Sequence, residues 1–241
     1  MTFENILKNK FTLLDGGFGT ELIKKGLLPH EDTVNAVFDH PEWVKEIHKS
    51  YIDAGSDIIL ADTFGANVFK LENSEHSVED CINTAIAIAK EAAKDTDTLV
   101  ALDVSTTGKL LAPTGDLTFD DAYECYKEVA ICGEKAGADI ICLETFTDLR
   151  EARIALLAAK ENTNLPVTVT LSFDENGLTM NGSTASCVAV TLSAAGADAV
   201  GLNCSLGPDK LSGVVEEFLK YSSVPVIVKP NAGLPDLKTG K

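Results

Sequence analysis

One short motif occurs three times in the sequence, and this repeat limits the folds that the chain can adopt. Ala-Gly-Ser-Asp-Ile-Ile at 54–59 returns as Ala-Gly-Ala-Asp-Ile-Ile at 136–141 and as Ala-Gly-Ala-Asp-Ala-Val at 195–200. In each copy the glycine is typical of a helix end, and the apolar pair is typical of a strand start. Three equivalent junctions favour a ring of units, a (β/α)8 barrel, over a doubly wound open sheet.

Apolar runs rich in Val, Ile and Leu alternate with helical stretches along the chain, which indicates a parallel sheet covered by helices. We predict strands at Thr12–Asp15, Asp57–Ala61, Thr98–Val104, Asp139–Glu144, Pro166–Ser172, Asp198–Asn203 and Pro225–Lys229. We predict helices at Pro41–Ala54, Val78–Lys94, Thr118–Ala136, Leu149–Lys160, Ser183–Ala194 and Asp209–Tyr221. A tight turn is predicted at Asp174–Gly177, after the fifth strand.

Seven predicted strands are one fewer than a closed eight-stranded barrel requires. No linker or change of composition divides the sequence, so we expect residues 1–241 to form a single barrel domain that lacks the eighth strand and the final helices. Open strand edges pair with other strands. We therefore expect self-association through the open edges of the barrel.

Composition and charge exclude several classes of protein. Hydrophobic residues make up 45% and charged residues 24% of the chain, which is ordinary globular usage. With 20 Lys and Arg against 37 Asp and Glu, the net charge of −17 argues against nucleic acid and anionic membranes as partners. There is no apolar run that could span a bilayer and no secretory signal pattern. Six cysteines are too sparse for a disulfide scaffold, so we predict a cytoplasmic protein with reduced thiols.

Polar residues stand at the carboxyl ends of the predicted strands, where barrel proteins carry their functional groups. In chain order they are Asp15, Thr63, Asp103, Glu144, Ser172, Cys204 and Lys229. Strand alternation predicts that Asp15, Thr63, Glu144 and Cys204 point inward, on the same faces as Leu13, Ala61, Cys142 and Leu202. We interpret this polar ring above an apolar interior as a binding site.

The loop Asp15-Gly16-Gly17-Phe18-Gly19-Thr20 follows the first predicted strand. Its glycines allow the backbone to approach a ligand closely. Leu22 occupies the place of the third glycine of a dinucleotide-binding fingerprint, so that match is weak. The carboxylates of Asp15 and Glu144, across the ring from each other, are suited to hold a substrate ammonium.

Cys204 is a candidate nucleophile or a thiolate ligand of a metal. None of the four histidines and no second cysteine stands at a predicted strand end, so the residues alone support neither a Cys-His pair nor a complete zinc site. The other five cysteines are expected to be structural. Lys229 offers a separate chemistry, because a lysine at a late strand end is typical of Schiff-base enzymes; its strand parity leaves its facing open.

The sequence resembles the homocysteine S-methyltransferase family, most closely the homocysteine-binding barrel of cobalamin-dependent methionine synthases. The resemblance lies in Leu14–Thr20, Ala54–Asn67, Leu143–Phe146, Gly201–Pro208 and Pro230–Pro235, which together span almost the whole chain. It implies a (β/α)8 barrel that binds homocysteine at its mouth. The implied substrate contacts are Asp15, Gly16, Gly17, Thr63, Asp103, Glu144 and Asn203.

The resemblance also implies a cofactor and a reaction. A zinc ion held by three cysteine thiolates would deprotonate the homocysteine thiol, which then attacks a methyl group to give methionine. Cys204 matches the first zinc ligand. The methyl donor would be methylcobalamin on another domain or protein, or a methylated sulfonium or ammonium compound. A cobalamin-carrying protein or domain is therefore an implied partner.

The sequence departs from the family pattern at two places. The Gly-Gly-Cys-Cys-Gly motif of the eighth strand, which carries the other two zinc cysteines, is missing, and Ser105-Thr106 stands where relatives have Gly-Pro. We therefore expect little or no methyltransferase activity from this chain alone. Two alternatives stay open: a non-catalytic relative or fragment that binds an amino acid without zinc, and a Schiff-base lyase that uses Lys229.

Overall fold

The three repeated motifs form the same junction in the structure. The computed structural model describes residues 2–8, 11–28 and 31–232. Gly55, Gly137 and Gly196 each follow a helix and have φ of 100°, 93° and 95°. This left-handed region costs glycine little, because glycine has no Cβ to collide with the backbone. The predicted helix-to-strand junction is confirmed in all three copies.

The aspartate of each motif ties its strand to the preceding strand or, in the case of Asp57, to the segment at Leu13. Oδ2 of Asp139 accepts the backbone N–H of Val100 at 2.8 Å, and the N–H of Asp139 donates to the carbonyl of Val100 at 2.8 Å. The same pair of bonds joins Asp57 to Leu13 and Asp198 to Val167. Each repeat therefore links neighbouring strands at the amino-terminal rim of the sheet.

Within the described ranges, six parallel strands lie in the sheet in the order in which they occur in the chain. They are β1 (Ile58–Leu60), β2 (Leu99–Val104), β3 (Ile140–Phe146), β4 (Val167–Leu171), β5 (Ala199–Asn203) and β6 (Val226–Lys229). Sequential order with parallel pairing is the arrangement of a barrel wall, not of a doubly wound sheet.

Helices cover the outer face of this wall. The short helices are α1 (Phe3–Ile6), α2 (Phe18–Lys25) and α3 (Ala36–Asp39), with a 3₁₀ turn at Thr33–Asn35; the long helices are α4 (Pro41–Asp53), α5 (Val78–Ala92), α6 (Phe119–Ala136), α7 (Leu149–Asn162), α8 (Ala185–Ala194) and α9 (Pro208–Tyr221). The side-chain oxygens of Ser77, Thr118 and Thr184 cap α5, α6 and α8. None of the helices in the described ranges is both long and apolar enough to cross a bilayer.

All six predicted long helices are confirmed to within two residues at each end, and six of the seven predicted strands are confirmed. The first predicted strand, Thr12–Asp15, is wrong as a strand, because only Leu14 forms a bridge, to Ile58. The bridge is held by the bonds from Ile58 N–H to the Leu13 carbonyl at 3.2 Å and from Asp15 N–H to the Ile58 carbonyl at 3.0 Å, and α2 begins at Phe18, three residues after Asp15. The turn at Asp174–Gly177 is confirmed by the bond from Gly177 N–H to Asp174 O at 3.0 Å.

The apolar side chains form two clusters, one on each face of the wall. The larger cluster lies between strands and helices, and the smaller one lies inside the half-barrel. The inner cluster contains Ile58, Leu60, Leu99, Ala101, Ile140, Cys142 and Ala199, with Phe3 and Ile6 of α1 packed against them. The short helix α1 thus closes the inside of the wall, which the sequence pattern did not predict.

Strand alternation predicted the facing of β3 correctly and that of β1 and β5 wrongly. Cys142 lies inside as predicted, but Ala61 and Leu202 pack outward against the helices. The predicted facing of β1 and β5 depends on the positions of Thr63 and Cys204. Both residues lie beyond the ends of their strands, where alternation no longer holds.

Candidate functional site

A cavity of about 680 Å³ opens at the carboxyl ends of the strands. We call it the mouth cavity; its chemically active lining consists of Asp15, Asp62, Asp103, Glu144, Cys204 and Lys229, together with the glycine loop at 16–19. The predicted polar ring is therefore brought together at Asp15, Asp103, Glu144, Cys204 and Lys229. A second cavity, of about 590 Å³ between residues 12–14 and β6, has a mainly apolar lining.

Lys229 lies between two carboxylates of the mouth cavity. Its Nζ is 3.2 Å from Oε2 of Glu144 and 3.5 Å from Oδ1 of Asp15. Burial alone would lower the pKa of Lys229, but the carboxylates of Glu144, Asp15 and Asp103 outweigh it and raise that pKa above its ordinary value. The amine is therefore held as an ammonium. This opposes the Schiff-base alternative, which needs a neutral lysine.

Asp15 is fixed by one oxygen and turns the other toward Lys229 in the mouth cavity. Its Oδ2 accepts the backbone N–H of Leu60 at 2.7 Å, and its Oδ1 has no hydrogen-bond partner among the described residues. Burial raises the pKa of Asp15 from 3.8 to about 6, although the charge of Lys229 works in the opposite direction. The mouth cavity thus contains a carboxylate whose charge is incompletely compensated.

We expect Asp15→Asn to change how stability depends on pH. Because the pKa of Asp15 is higher in the folded chain, at about 6, than its ordinary value of 3.8, the folded chain binds this proton more tightly. The wild type should therefore lose stability relative to Asp15→Asn as pH rises through this interval, by on the order of 3 kcal/mol. Denaturant unfolding of both proteins between about pH 4 and pH 7 measures the difference; a constant difference would contradict the burial argument.

Two further buried carboxylates face the mouth cavity. Oδ1 of Asp103 and Oδ2 of Asp62 have no hydrogen-bond partner within the described ranges. Burial raises the pKa of each well above its ordinary value, with Glu144 adding to the effect at Asp103 and Asp32 at Asp62. The sequence does not single out Asp62, because strand-end position favours its neighbour Thr63.

Asn203 holds the ends of β3, β4 and β5 together. Its Oδ1 accepts from the Thr145 N–H and the Thr170 hydroxyl, both at 2.9 Å. Its Nδ2 donates to the Thr145 hydroxyl at 2.7 Å and to Sγ of Cys204 at 3.3 Å. The side chain is buried and does not line the mouth cavity. Asn203 therefore contacts Cys204 directly, and the substrate contact that the sequence resemblance implies for Asn203 stays a prediction.

Backbone strain turns Cys204 into the mouth cavity. Thr145 and Cys204 have φ of 61° and 59°, and Ser205 follows with 64°. Residues other than glycine seldom adopt these positive φ angles. Such backbone strain persists only where surrounding hydrogen bonds impose it. Here the bonds come from Asn203 and from the Cys204 N–H, which donates to the Lys229 carbonyl at 3.0 Å.

Thr63 and Ser172 form hydrogen bonds with backbone groups of neighbouring strands, and they do not line the mouth cavity. Oγ1 of Thr63 donates to the Asp103 carbonyl at 2.8 Å and accepts the Asp103 N–H at 2.9 Å. The Ser172 hydroxyl donates to the Asn203 carbonyl at 3.0 Å. The predicted ring thus contains two kinds of residue: some face the cavity, and others connect the strands that form its wall.

Gly16 and Gly17 do line the mouth cavity, and the structure explains the first glycine. A Cβ on Gly16 would lie 2.9 Å from the hydroxyl oxygen of Tyr51. That hydroxyl donates to the Gly17 carbonyl at 2.9 Å. The tyrosine therefore holds the loop against α4, and a side chain at position 16 would push it away.

The described residues do not fit a complete zinc site. Cys204 is the one cysteine that lines the mouth cavity, and no group of three His, Cys, Asp or Glu side chains within the described ranges could hold a metal ion. Zinc in proteins takes about four ligands. Burial raises the pKa of Cys204, which keeps it as a thiol. Of the other cysteines, Cys81, Cys125 and Cys142 are buried as expected, but Cys187 is exposed on α8.

The sequence matches one family and its relatives over almost its full length. A family model described as homocysteine S-methyltransferase matches residues 12–241. The chain is 28% identical to methionine synthase of Mycobacterium leprae and 27% identical to that of Mycobacterium tuberculosis. These matches cover 92% and 97% of this chain but 20% and 21% of the relatives. The chain therefore spans about a fifth of the length of these proteins.

A solved structure shares the fold. The metallated form of the homocysteine methyltransferase MmuM from Escherichia coli superposes with a TM-score of 0.84, at 18% identity, over 95% of this chain and 86% of that one. The apo form of the same protein superposes with a TM-score of 0.76. At this identity the likeness shows the fold alone. It confirms the predicted TIM-barrel type, of which this chain supplies a six-stranded part of the wall.

Proposed function

Since the chain belongs to the homocysteine S-methyltransferase family, we propose that its mouth cavity binds homocysteine. The observation that supports this is the convergence of Asp15, Glu144 and Cys204 on one cavity at the carboxyl ends of the strands. Two carboxylates fit the ammonium of an amino acid, and a cysteine marks where the reacting sulfur would lie. The glycine loop offers backbone close to the same ammonium site.

We assign the roles as follows. Asp15, held by the Leu60 N–H, and Glu144 bind the ammonium of the substrate. Asp103 lies beside them and, with its raised pKa, favours the neutral acid that can donate a hydrogen bond. Asn203 and Thr145 orient Cys204. Thr63 keeps the ends of β1 and β2 together.

Methyl transfer would require a metal site in addition to the homocysteine site. A metal site of the family type needs more thiolates than the one that Cys204 provides, so the described residues do not activate the homocysteine thiol by zinc on their own. We propose that a polypeptide of this sequence binds homocysteine but transfers no methyl group by itself. A donor on another domain or protein, methylcobalamin in the first place, belongs to the same proposal.

Binding of homocysteine to matched variants tests the proposal. We expect Glu144→Gln to weaken binding by about tenfold or more, because the ammonium loses a buried charged partner. Glu216→Gln makes the same charge change at an exposed position of α9 and should leave the affinity unchanged. Isothermal titration calorimetry gives both values.

Three outcomes contradict the proposal. If the wild type does not bind homocysteine, the cavity has another ligand. If Glu144→Gln binds as well as Glu216→Gln, the ammonium site is elsewhere. Zinc close to one atom per chain by elemental analysis, lost in Cys204→Ala, would show that further ligands complete the metal site and would overturn the expected inactivity.

A further inference from the structure

The lining of the mouth cavity combines four carboxylates with one cation among the described residues. The carboxylates belong to Asp15, Asp62, Asp103 and Glu144, and the cation is Lys229. The ammonium of Lys229 lies against Glu144 and Asp15, at 3.2 and 3.5 Å. It thus occupies the place that the proposed function gives to the ammonium of the substrate. Two ammonium groups cannot share this place, because like charges at contact distance repel strongly in a buried site.

We propose, resting on the proposed function, that Lys229 determines substrate specificity through an exchange of ammonium groups. The ammonium of the amino acid replaces Lys229 between Asp15 and Glu144. The displaced Lys229 then pairs with the carboxylate of the same amino acid.

The carboxylate of the substrate needs such a partner. It enters a cavity where it comes close to the carboxylates of Asp15 and Glu144, and these repel a further anion. Lys229 is the cation that the described lining offers. A charge-assisted bond from its ammonium turns an unfavourable position of the substrate carboxylate into a favourable one.

Lys229 is built to move its head while its base stays fixed. Its backbone carbonyl accepts the Cys204 N–H at 3.0 Å, within the pairing of β5 with β6. Its side chain keeps 21% of its surface exposed, while that of Asp15 keeps 2%. A lysine carries its charge on a flexible four-carbon stem. The ammonium can therefore turn within the mouth cavity without a change in the sheet.

This exchange selects for molecules that carry both charges. An amine without a carboxylate could enter only by leaving the Lys229 ammonium without a partner in a partly buried site, which is costly. A carboxylate without an amine could not displace Lys229 and would be repelled by the carboxylates of Asp15 and Glu144. The cavity thereby rejects each half of the amino acid head when it comes alone.

Three thiols and two substitutions of Lys229 test the exchange. The probes are homocysteine, 3-aminopropane-1-thiol, which lacks the carboxylate, and 4-mercaptobutanoate, which lacks the amine. We expect the wild type to bind homocysteine at least about 100-fold more tightly than either analogue. Lys229→Met should weaken homocysteine about tenfold or more and leave 3-aminopropane-1-thiol equal or tighter, so that the preference between them collapses. Lys229→Arg keeps the charge and should keep most of the preference.

Calorimetry at about pH 8 keeps Asp15 ionised in the wild type, where its pKa is about 6. If Lys229→Met lowers the affinity for both amines by the same factor, the exchange is wrong while homocysteine binding stands. If the wild type binds homocysteine and 3-aminopropane-1-thiol equally well, the exchange is also wrong, whether or not Lys229→Met folds by circular dichroism. A wild type that binds none of the three thiols overturns the proposed function and this inference with it.

Discussion

Gly201→Ala is expected to cost about 3 kcal/mol or more of stability, the largest effect of any single methyl group that we foresee in this chain. Gly201 lies in the middle of β5, and a Cβ at this position would overlap the backbone carbonyl of Ile227 in β6. The obstacle is backbone, which cannot rotate away as a side chain can. The two strands must separate, and Lys229 at the end of β6 moves with them.

Gly213→Ala is the matched control. Gly213 lies in the interior of α9, is exposed, and has nothing within 4 Å of the position of a Cβ. Alanine there should stabilise the protein by about 0.5–1 kcal/mol, because alanine loses less backbone entropy than glycine in a helix. Urea unfolding compares the two variants with the wild type. If both substitutions shift the midpoint in the same direction, the close approach of β5 and β6 is not what excludes a side chain at Gly201.

Asn203→Ala is expected to destabilise the chain by about 3 kcal/mol. The substitution removes the acceptor of the Thr145 N–H and the Thr170 hydroxyl, and the donor to the Thr145 hydroxyl. Buried groups that lose their partners cost about 1–3 kcal/mol each. The strained backbone of Thr145 and Cys204 would relax, so Cys204 should also lose its place in the mouth cavity. Thermal and denaturant unfolding measure the first effect, and homocysteine binding measures the second.

Thr170→Val is the variant with which the loss of stability in Asn203→Ala is compared. It removes one hydroxyl from the same cluster and keeps the rest of the Asn203 contacts, so about 1 kcal/mol is expected. Asn203→Asp keeps an acceptor for Thr145 and loses the donor, and it should fall between the two. Equal losses for Asn203→Ala and Thr170→Val would mean that water replaces the amide and that Asn203 does not hold the strand ends.

The helix and strand positions could be predicted because each depends on local chemistry. The repeated Ala-Gly-x-Asp motif encodes a helix end, a left-handed glycine and a strand start within four residues. The hydroxyl caps at Ser77 and Thr118 mark helix starts in the same local way. The helix α1 was missed because its four residues show too little periodicity, and its role comes from packing against distant strands.

The mouth cavity could be predicted only in part, for a geometric reason. Strand ends show which residues gather at one rim, but a side chain turns in or out according to the last backbone angles. Cys204 faces the cavity because its φ is positive. The alternation of side chains along a strand does not predict a positive φ. The ion pair of Lys229 with Glu144 joins residues 85 positions apart, and the sequence does not show which of the strand-end charges will meet.

The aspartate bonds at the amino-terminal rim bear on how the chain is made. Asp139 and Asp198 each bond to a strand that has already been synthesised when they leave the ribosome, and Asp57 bonds to the earlier segment at Leu13. These three units can therefore attach to a neighbour that precedes them in the chain, so strand pairing can follow the order of translation. A growing wall of this kind exposes one fresh edge at any moment, which shortens the time in which an unpaired strand can meet a wrong partner.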